Sequence, residues 1–175
     1  MSGTFTEDQQ ITATVTDADN DGSSDTYSYA WYSSSDLSSW SSIGSDSSTY
    51  TLTQSEVGKY IKVTTSYTDD DGTVESHSDT HLTAVANVND DPTGSVTISG
   101  TATEDQVLTA ANTLADEDVL GTISYQWKRA GSAISGATSS TYTLVQADVG
   151  SAITVTASYT DGQGTAELVS LSAVP

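Results

Sequence analysis

Two stretches of this chain carry nearly the same residues in the same order. Gly3-Thr-Phe-Thr-Glu7-Asp8-Gln9 returns as Gly100-Thr-Ala-Thr-Glu104-Asp105-Gln106, and Tyr29-Ala-Trp31 returns as Tyr125-Gln-Trp127. Tyr50-Thr-Leu-Thr-Gln-Ser-Glu56-Val-Gly58 returns as Tyr142-Thr-Leu-Val-Gln-Ala-Asp148-Val-Gly150. Ile61-Lys-Val-Thr-Thr-Ser-Tyr67-Thr-Asp69 returns as Ile153-Thr-Val-Thr-Ala-Ser-Tyr159-Thr-Asp161. The offset drifts only from 97 to 92 residues, so short loop changes align the copies along their length. A period this long exceeds most solenoid units and fits an array of independently folding modules. The expected domains are residues 1–86 and 93–175, joined by an acidic linker at 87–92.

Charge removes several classes of function. Twenty-four acidic residues stand against Lys59, Lys62, Lys128 and Arg129, for a net charge of −20. Nucleic acid is excluded as a partner, because phosphate binding needs clustered Lys and Arg. An anionic membrane surface is disfavoured for the same reason, and no apolar run is long enough to span a bilayer. No basic-then-apolar leader follows Met1, so residues 1–2 read as the start of a segment from a longer chain. The absence of cysteine removes disulfides and thiolate zinc sites together. Small extracellular modules usually need a staple, and the substitute open to this composition is metal.

The local period is two. Tyr27, Tyr29 and Trp31 alternate with Ser28 and Ala30, as Ile123, Tyr125 and Trp127 do in the second copy. Ile61 and Val63 lead to Tyr67, and Ile153 and Val155 lead to Tyr159, again by alternation. Ser, Gly, Asp and Asn clusters separate these runs, and none shows helical spacing with caps. Short strands with turn signals every eight to twelve residues predict an all-β antiparallel sandwich of about seven strands in each copy. Trp31 and Trp127 are expected in its core, beside Tyr67 and Tyr159. The first copy lacks a counterpart of the opening strand Thr93–Ile98.

A Tyr-x-Trp strand, then Tyr-x-Leu, an acidic-Val-Gly corner and a long alternating strand together resemble strands C, E and F of an immunoglobulin-like domain. Cysteines of the antibody type are missing. The closer resemblance is to the tandem immunoglobulin-like and cadherin-like repeats of large secreted bacterial adhesins of the RTX type. It implies two immunoglobulin-like sandwiches, a secreted or cell-surface location, and neighbouring repeats of the same chain as partners.

On that scaffold the acids sort to the ends. Glu7, Asp8 and Glu56 fall at the exit of the first domain, next to Asn87, Asn89, Asp90 and Asp91 of the linker. Asp116, Asp118 and Asp161 fall at the entrance of the second. Carboxylates crowded in this way repel and raise one another's pKa. Calcium, which takes six to eight oxygen ligands in tolerant geometry, relieves that conflict. The order resembles the cadherin repeat, with Glu7, Glu56, Asn89-Asp90 and Asp116-x-Asp118 in its calcium-binding places. Asp17, Asp19 and Asp21 followed by Gly22, with Asp25, resemble the opening of a calcium loop. That loop, helped by Asp69, Asp70 and Asp71, is a second expected metal site at the entrance of the first domain.

Other readings stand beside these. Acidic loops also serve as solvated surface that maintains solubility. His77 and His81 lie roughly 13 Å apart along an extended strand, too far to share one metal. Trp40, without a counterpart in the second copy, offers either a carbohydrate-stacking platform or a cover over the sheet edge. No nucleophile elbow, phosphate-cradling loop or catalytic triad appears, so an enzyme is not expected. The expected function is a non-catalytic extracellular spacer stiffened by calcium. The alternative is a module that binds carbohydrate or a cell-surface ligand.

Overall fold

A computed structural model describes residues 1–15, 26–68 and 72–171. The chain divides into two compact units, Met1–Val88 and Asn89–Pro175. All regular structure among the described residues is antiparallel strand, apart from two short 3-10 turns at Gln54–Glu56 and Gln146–Asp148. The alternating residues and Gly/Asn/Asp breaks explain this, since no stretch repeats its apolar residues at helical spacing.

Unit 1 contains β1 (Gln10–Thr12), β2 (Ser28–Ser34), β3 (Ser41–Ile43), β4 (Thr49–Thr51), β5 (Tyr60–Thr68) and β6 (Val74–His81). β1 pairs with β4, while the other four form a sheet in the order β3-β2-β5-β6. Unit 2 contains β7 (Val96–Ser99), β8 (Val107–Asn112), β9 (Ser124–Arg129), β10 (Ser132–Ala133), β11 (Thr141–Thr143), β12 (Ile153–Thr160) and β13 (Ala166–Ser170). Its sheets run β11-β8-β7 and β10-β9-β12-β13. The registers repeat: Trp31 faces Val63 as Trp127 faces Val155, and Tyr67 faces Glu75 as Tyr159 faces Glu167.

In each unit the inward residues of both sheets form a single core. Trp127 meets Leu108, Ala110, Leu144, Ile153 and Val155, while Trp31 meets Ile11, Leu52, Ile61 and Val63. Each indole N–H donates to a backbone carbonyl, Trp31 to Ser47 at 2.8 Å and Trp127 to Ser139 at 2.9 Å. A buried tryptophan therefore leaves no unsatisfied donor. Tyr159 shares the buried core with Trp127 as expected, but Tyr67 lies outside the core of Trp31. The rings stacked on the indoles are Tyr50 on Trp31 and Tyr142 on Trp127. Tyr67 instead packs on Tyr27, and Tyr159 enters the core from the far end of β12. These positions alternate along the strands, so the Tyr-x-Leu tyrosines come to lie over the indoles.

The missing opening strand survives in unit 1 as one bridge, Ser2 to Thr12, equivalent to the Ser99–Thr109 pair between β7 and β8. Gly3 and Gly100 end this segment in both copies, with φ of 123° and 122°, a conformation that side chains disfavour. A Cβ on Gly100 would stand 2.5 Å from the Val107 carbonyl oxygen. Parallel bridges then close unit 1, joining Thr6 to Ala86 and Val57 to Val85. Val85 lies in the core, 3% exposed.

Replacing Trp127 with Ala should lower the stability of unit 2 by about 3–5 kcal/mol, as large core truncations do. Chemical denaturation followed by far-UV circular dichroism checks this value.

Candidate metal centre

Several acids of unit 2 gather near the end of its longest strand, β12. Arg129 and Lys128, the only cations of this unit, pair across to Ile153 and Thr154, where β12 begins. Asp161 follows Thr160, where β12 ends, roughly 20–25 Å away at strand spacing. No lysine or arginine is thus available within unit 2 to neutralise this end. It carries Asp90, Asp116, Asp118, Asp161 and Glu167.

The loop before β9 lays its carboxylates against the end of β12. Asp118 is fully buried, its backbone N–H donating to Asp116 Oδ1 at 2.8 Å. Asp118 Oδ2 accepts the Asp90 backbone N–H at 2.9 Å, and the two carboxylates offer oxygens within 4.8 Å of each other. Gly162 N–H donates to the carbonyls of both Asp118 and Val119, fixing this loop to the turn after β12. The approach is close at Gly121, where a Cβ would lie 1.8 Å from the Thr160 carbonyl oxygen. Val119 has φ of 73°, a conformation that strains a β-branched residue.

Asp161 is 6% exposed. Its Oδ1 accepts from the Gln163 and Thr165 backbone N–H groups, each at 2.8 Å. Its Oδ2 is buried and has no hydrogen-bond partner among the described residues. Burial opposes ionisation of this carboxyl, but the amides of Thr165, Gln163 and Gly164 outweigh it and hold the pKa below the ordinary value. The Tyr159 hydroxyl donates to Asp116 Oδ2 at 2.6 Å. Burial, then Asp116, Glu167 and Asp161, push the Tyr159 pKa well up, so the phenol remains a donor. Asn89 Nδ2 donates to Glu167 Oε1 at 3.0 Å, whereas Asp91 is exposed. The resulting donor set is entirely oxygen, which suits a hard divalent cation and not the softer metals.

Unit 1 places its exit acids along its closing segment. Glu7 is 3% exposed, its N–H donating to the Ala86 carbonyl and its carboxylate accepting from Val88 N–H at 3.4 Å. Glu56 caps its 3-10 turn by accepting from the Thr53 backbone N–H and hydroxyl at 3.1 and 2.9 Å. Burial and the Glu56 charge raise the Tyr50 pKa to about 12. Asp8 is exposed with φ of 61°, and Asn87 Oδ1 is buried without a partner among the described residues. Asp17, Asp19, Asp21, Asp25, Asp69, Asp70 and Asp71 lie outside the described residues.

Trp40 lies under an ammonium group, with Lys62 Nζ 4.4 Å from its ring centroid and 4.8 Å from that of Tyr32. His77 and His81 both lie in β6, and His81 stacks on Phe5. Glu167 and Tyr159, which hydrogen-bond to Asn89 and Asp116, are not among the ligands expected from the sequence. The signal for them was the repeat itself, since the Tyr67–Glu75 register pair occupies the same places in the first copy. No protein-family model and no curated protein matches this chain.

The opposite end of unit 2 neutralises its own acid. Asp148, the counterpart of Glu56, accepts from Arg129 Nε at 2.6 Å, the Tyr142 hydroxyl at 2.9 Å and Val145 N–H at 2.8 Å. Burial would raise its pKa, but these donors together hold it below the ordinary value. In unit 1 the residue at the position of Arg129 is Ser33. Arg129→Ser should therefore lower stability at neutral pH, because it removes a hydrogen bond to a buried charged group. A depressed carboxyl contributes stability above its unfolded pKa, near 3.9, and loses it as pH falls through the folded value. The difference between wild type and variant should shrink below about pH 4, as measured by denaturant midpoints across pH.

Proposed function

We propose that the acidic end of unit 2 binds calcium, and that the chain is a non-catalytic spacer stiffened by calcium where its repeats are joined. The observation carrying this reading is the buried, unpartnered Oδ2 of Asp161, whose next residue, Gly162, bonds the backbone of the fully buried Asp118, in a unit whose cations lie at the opposite end. A buried carboxylate normally finds a partner or loses its charge, and here the amides on Oδ1 favour the charge. Asp90, Asp116, Asp118 and Asp161 are the proposed ligands, with Glu167 positioning Asn89. Glu7 and Glu56 retain their sequence-based assignment to the same calcium-dependent joint.

The paired sheets and repeated registers support an immunoglobulin-like sandwich of the kind found in secreted adhesins. A secreted or cell-surface location belongs to the same proposal. No helix among the described residues is long and apolar enough to cross a membrane.

Calcium at a hundred times its dissociation constant should stabilise the protein by about 2.7 kcal/mol per site. Asp161→Asn and Asp118→Asn should remove most of this gain, measured as the melting temperature in calcium, in chelator and in neutral salt of matched ionic strength. The salt arm separates coordination from screening of the −20 charge. Small-angle scattering then tests the spacer: wild type should narrow its distribution of dimensions with calcium, and Asp118→Asn should not. Equal melting in all three solutions would return the acids to solvated surface and favour the ligand-binding module.

A further inference from the structure

The outward strand positions of the β3-β2-β5-β6 sheet in unit 1 hold no acid, in a chain with 24 of them. Ile61, Val63 and Thr65 of β5 turn into the core side, so Lys62 and Thr64 turn out. The pairs Tyr32–Lys62, Ala30–Thr64 and Lys62–Thr80 carry this outer face across the strands. Every outward position of the four strands is Ser, Thr, Ala, Val or Tyr, apart from Lys62. Among the described residues Lys62 makes no ion pair with a carboxylate.

Two aromatic rings cradle the lone ammonium. Its Nζ lies 4.4 Å from the Trp40 centroid and 4.8 Å from that of Tyr32, and both rings remain partly exposed. Trp40 reaches this face from the hairpin at residues 35–40, between β2 and β3. That hairpin is tied internally, because Asp36 Oδ1 accepts from the Ser38 and Ser39 N–H groups at 2.9 and 2.7 Å and from the Ser34 hydroxyl at 3.0 Å. The one acid of the hairpin is thus engaged by its own loop and not by Lys62. Unit 2 lacks the arrangement: its hairpin is Ala130-Gly131, and Lys128 and Thr154 stand where unit 1 has Tyr32 and Lys62.

We propose that Trp40, Tyr32 and Lys62 form a subsite for a single carboxylated sugar, a uronic acid at the end of a glycan. The negative faces of the two rings attract the C–H bonds of a pyranose ring, and the ammonium meets the sugar carboxylate as a point charge with three donors. Ser42 and Thr80, which flank Tyr32 and Lys62 on the neighbouring strands, present hydroxyls that both donate to and accept from sugar hydroxyls. Charge complementarity selects the acid, since no carboxylate of the face competes for Lys62. Net charge sets the limit: at −20 the chain repels a polyanion, so one terminal acid suits it better than a polyuronate. An acidic peptide offers the carboxylate without a ring face for Trp40 and Tyr32. This reading does not rest on the calcium site.

An NMR titration of the full chain tests this through the Trp40 indole N–H, with methyl glucuronoside, methyl glucoside and the α-amide of N-acetylglutamic acid as probes. The Trp31 and Trp127 indoles, buried and hydrogen-bonded in their cores, are internal references that should not move. Methyl glucuronoside should shift Trp40 and bind roughly fivefold more tightly than methyl glucoside, the upper worth of an exposed ion pair. Lys62→Gln should erase that difference, and Trp40→Ala should abolish binding, read at the Tyr32 ring. Equal binding of the two glycosides to the wild type overturns the role of Lys62 and the proposal with it. Equal binding of the glutamic acid amide overturns the sugar and makes an acidic peptide the ligand. A Trp40 signal unmoved by every probe overturns the site altogether. Should a variant fail to fold, the three wild-type titrations decide alone.

Discussion

Burying carboxylates at a place with no side-chain cation is the constraint around which unit 2 is built. An isolated buried charge in a medium of low polarity is very costly, and a protein must answer it with donors, a counter-ion or a proton. Here the answer is partial. Two backbone amides take one oxygen of Asp161, a phenol takes one oxygen of Asp116, and the Asp90 amide takes one of Asp118. The local architecture follows from that need: the loop before β9 must press against the turn after β12, which is why Gly121 tolerates no side chain and Val119 is held in a strained conformation.

The two ends of unit 2 answer the same problem differently. At the start of β12, Asp148 receives an arginine, a tyrosine and an amide, so its charge is internally balanced. At the end of β12, the donors seen at Asp116 and Asp161 among the described residues are backbone amides and the Tyr159 hydroxyl. Unit 1 makes a third choice, for Glu56 has hydroxyl and amide donors and Ser33 in place of the arginine. Exchanges of Ser33 for Arg129 and of Thr53 for Val145 between the copies change how a similar corner is neutralised.

Much of the strand pattern was legible in the sequence because strand alternation is local and the repeat doubles each signal. Trp31 and Trp127 are core residues as expected, since an aromatic at the centre of an alternating run has only one face to enter. Their neighbours were not legible. Tyr50 and Tyr142 reach the indoles from the other sheet, a relation set by how the sheets stack and not by spacing along the chain. At the acidic end, Asp116, Asp118 and Asp161 were recognisable from loop position. Tyr159 and Glu167 were not, because each sits in an alternating run where the sequence alone does not say which side chain turns toward the acids.

The closing segment of unit 1 has a bearing on mechanics. Thr6 and Ala86, and Val57 and Val85, are joined in parallel, so the segments near both termini lie side by side and point the same way. Tension drawn from the two ends would pull these segments along each other, across the direction of their hydrogen bonds. Such bonds share the load and rupture together, whereas an antiparallel pair peeled from its open end gives way one bond after another. A module clasped in this manner yields abruptly, and its resistance depends on Val85 and Ala86 keeping their register against residues 5–7 and 57–59.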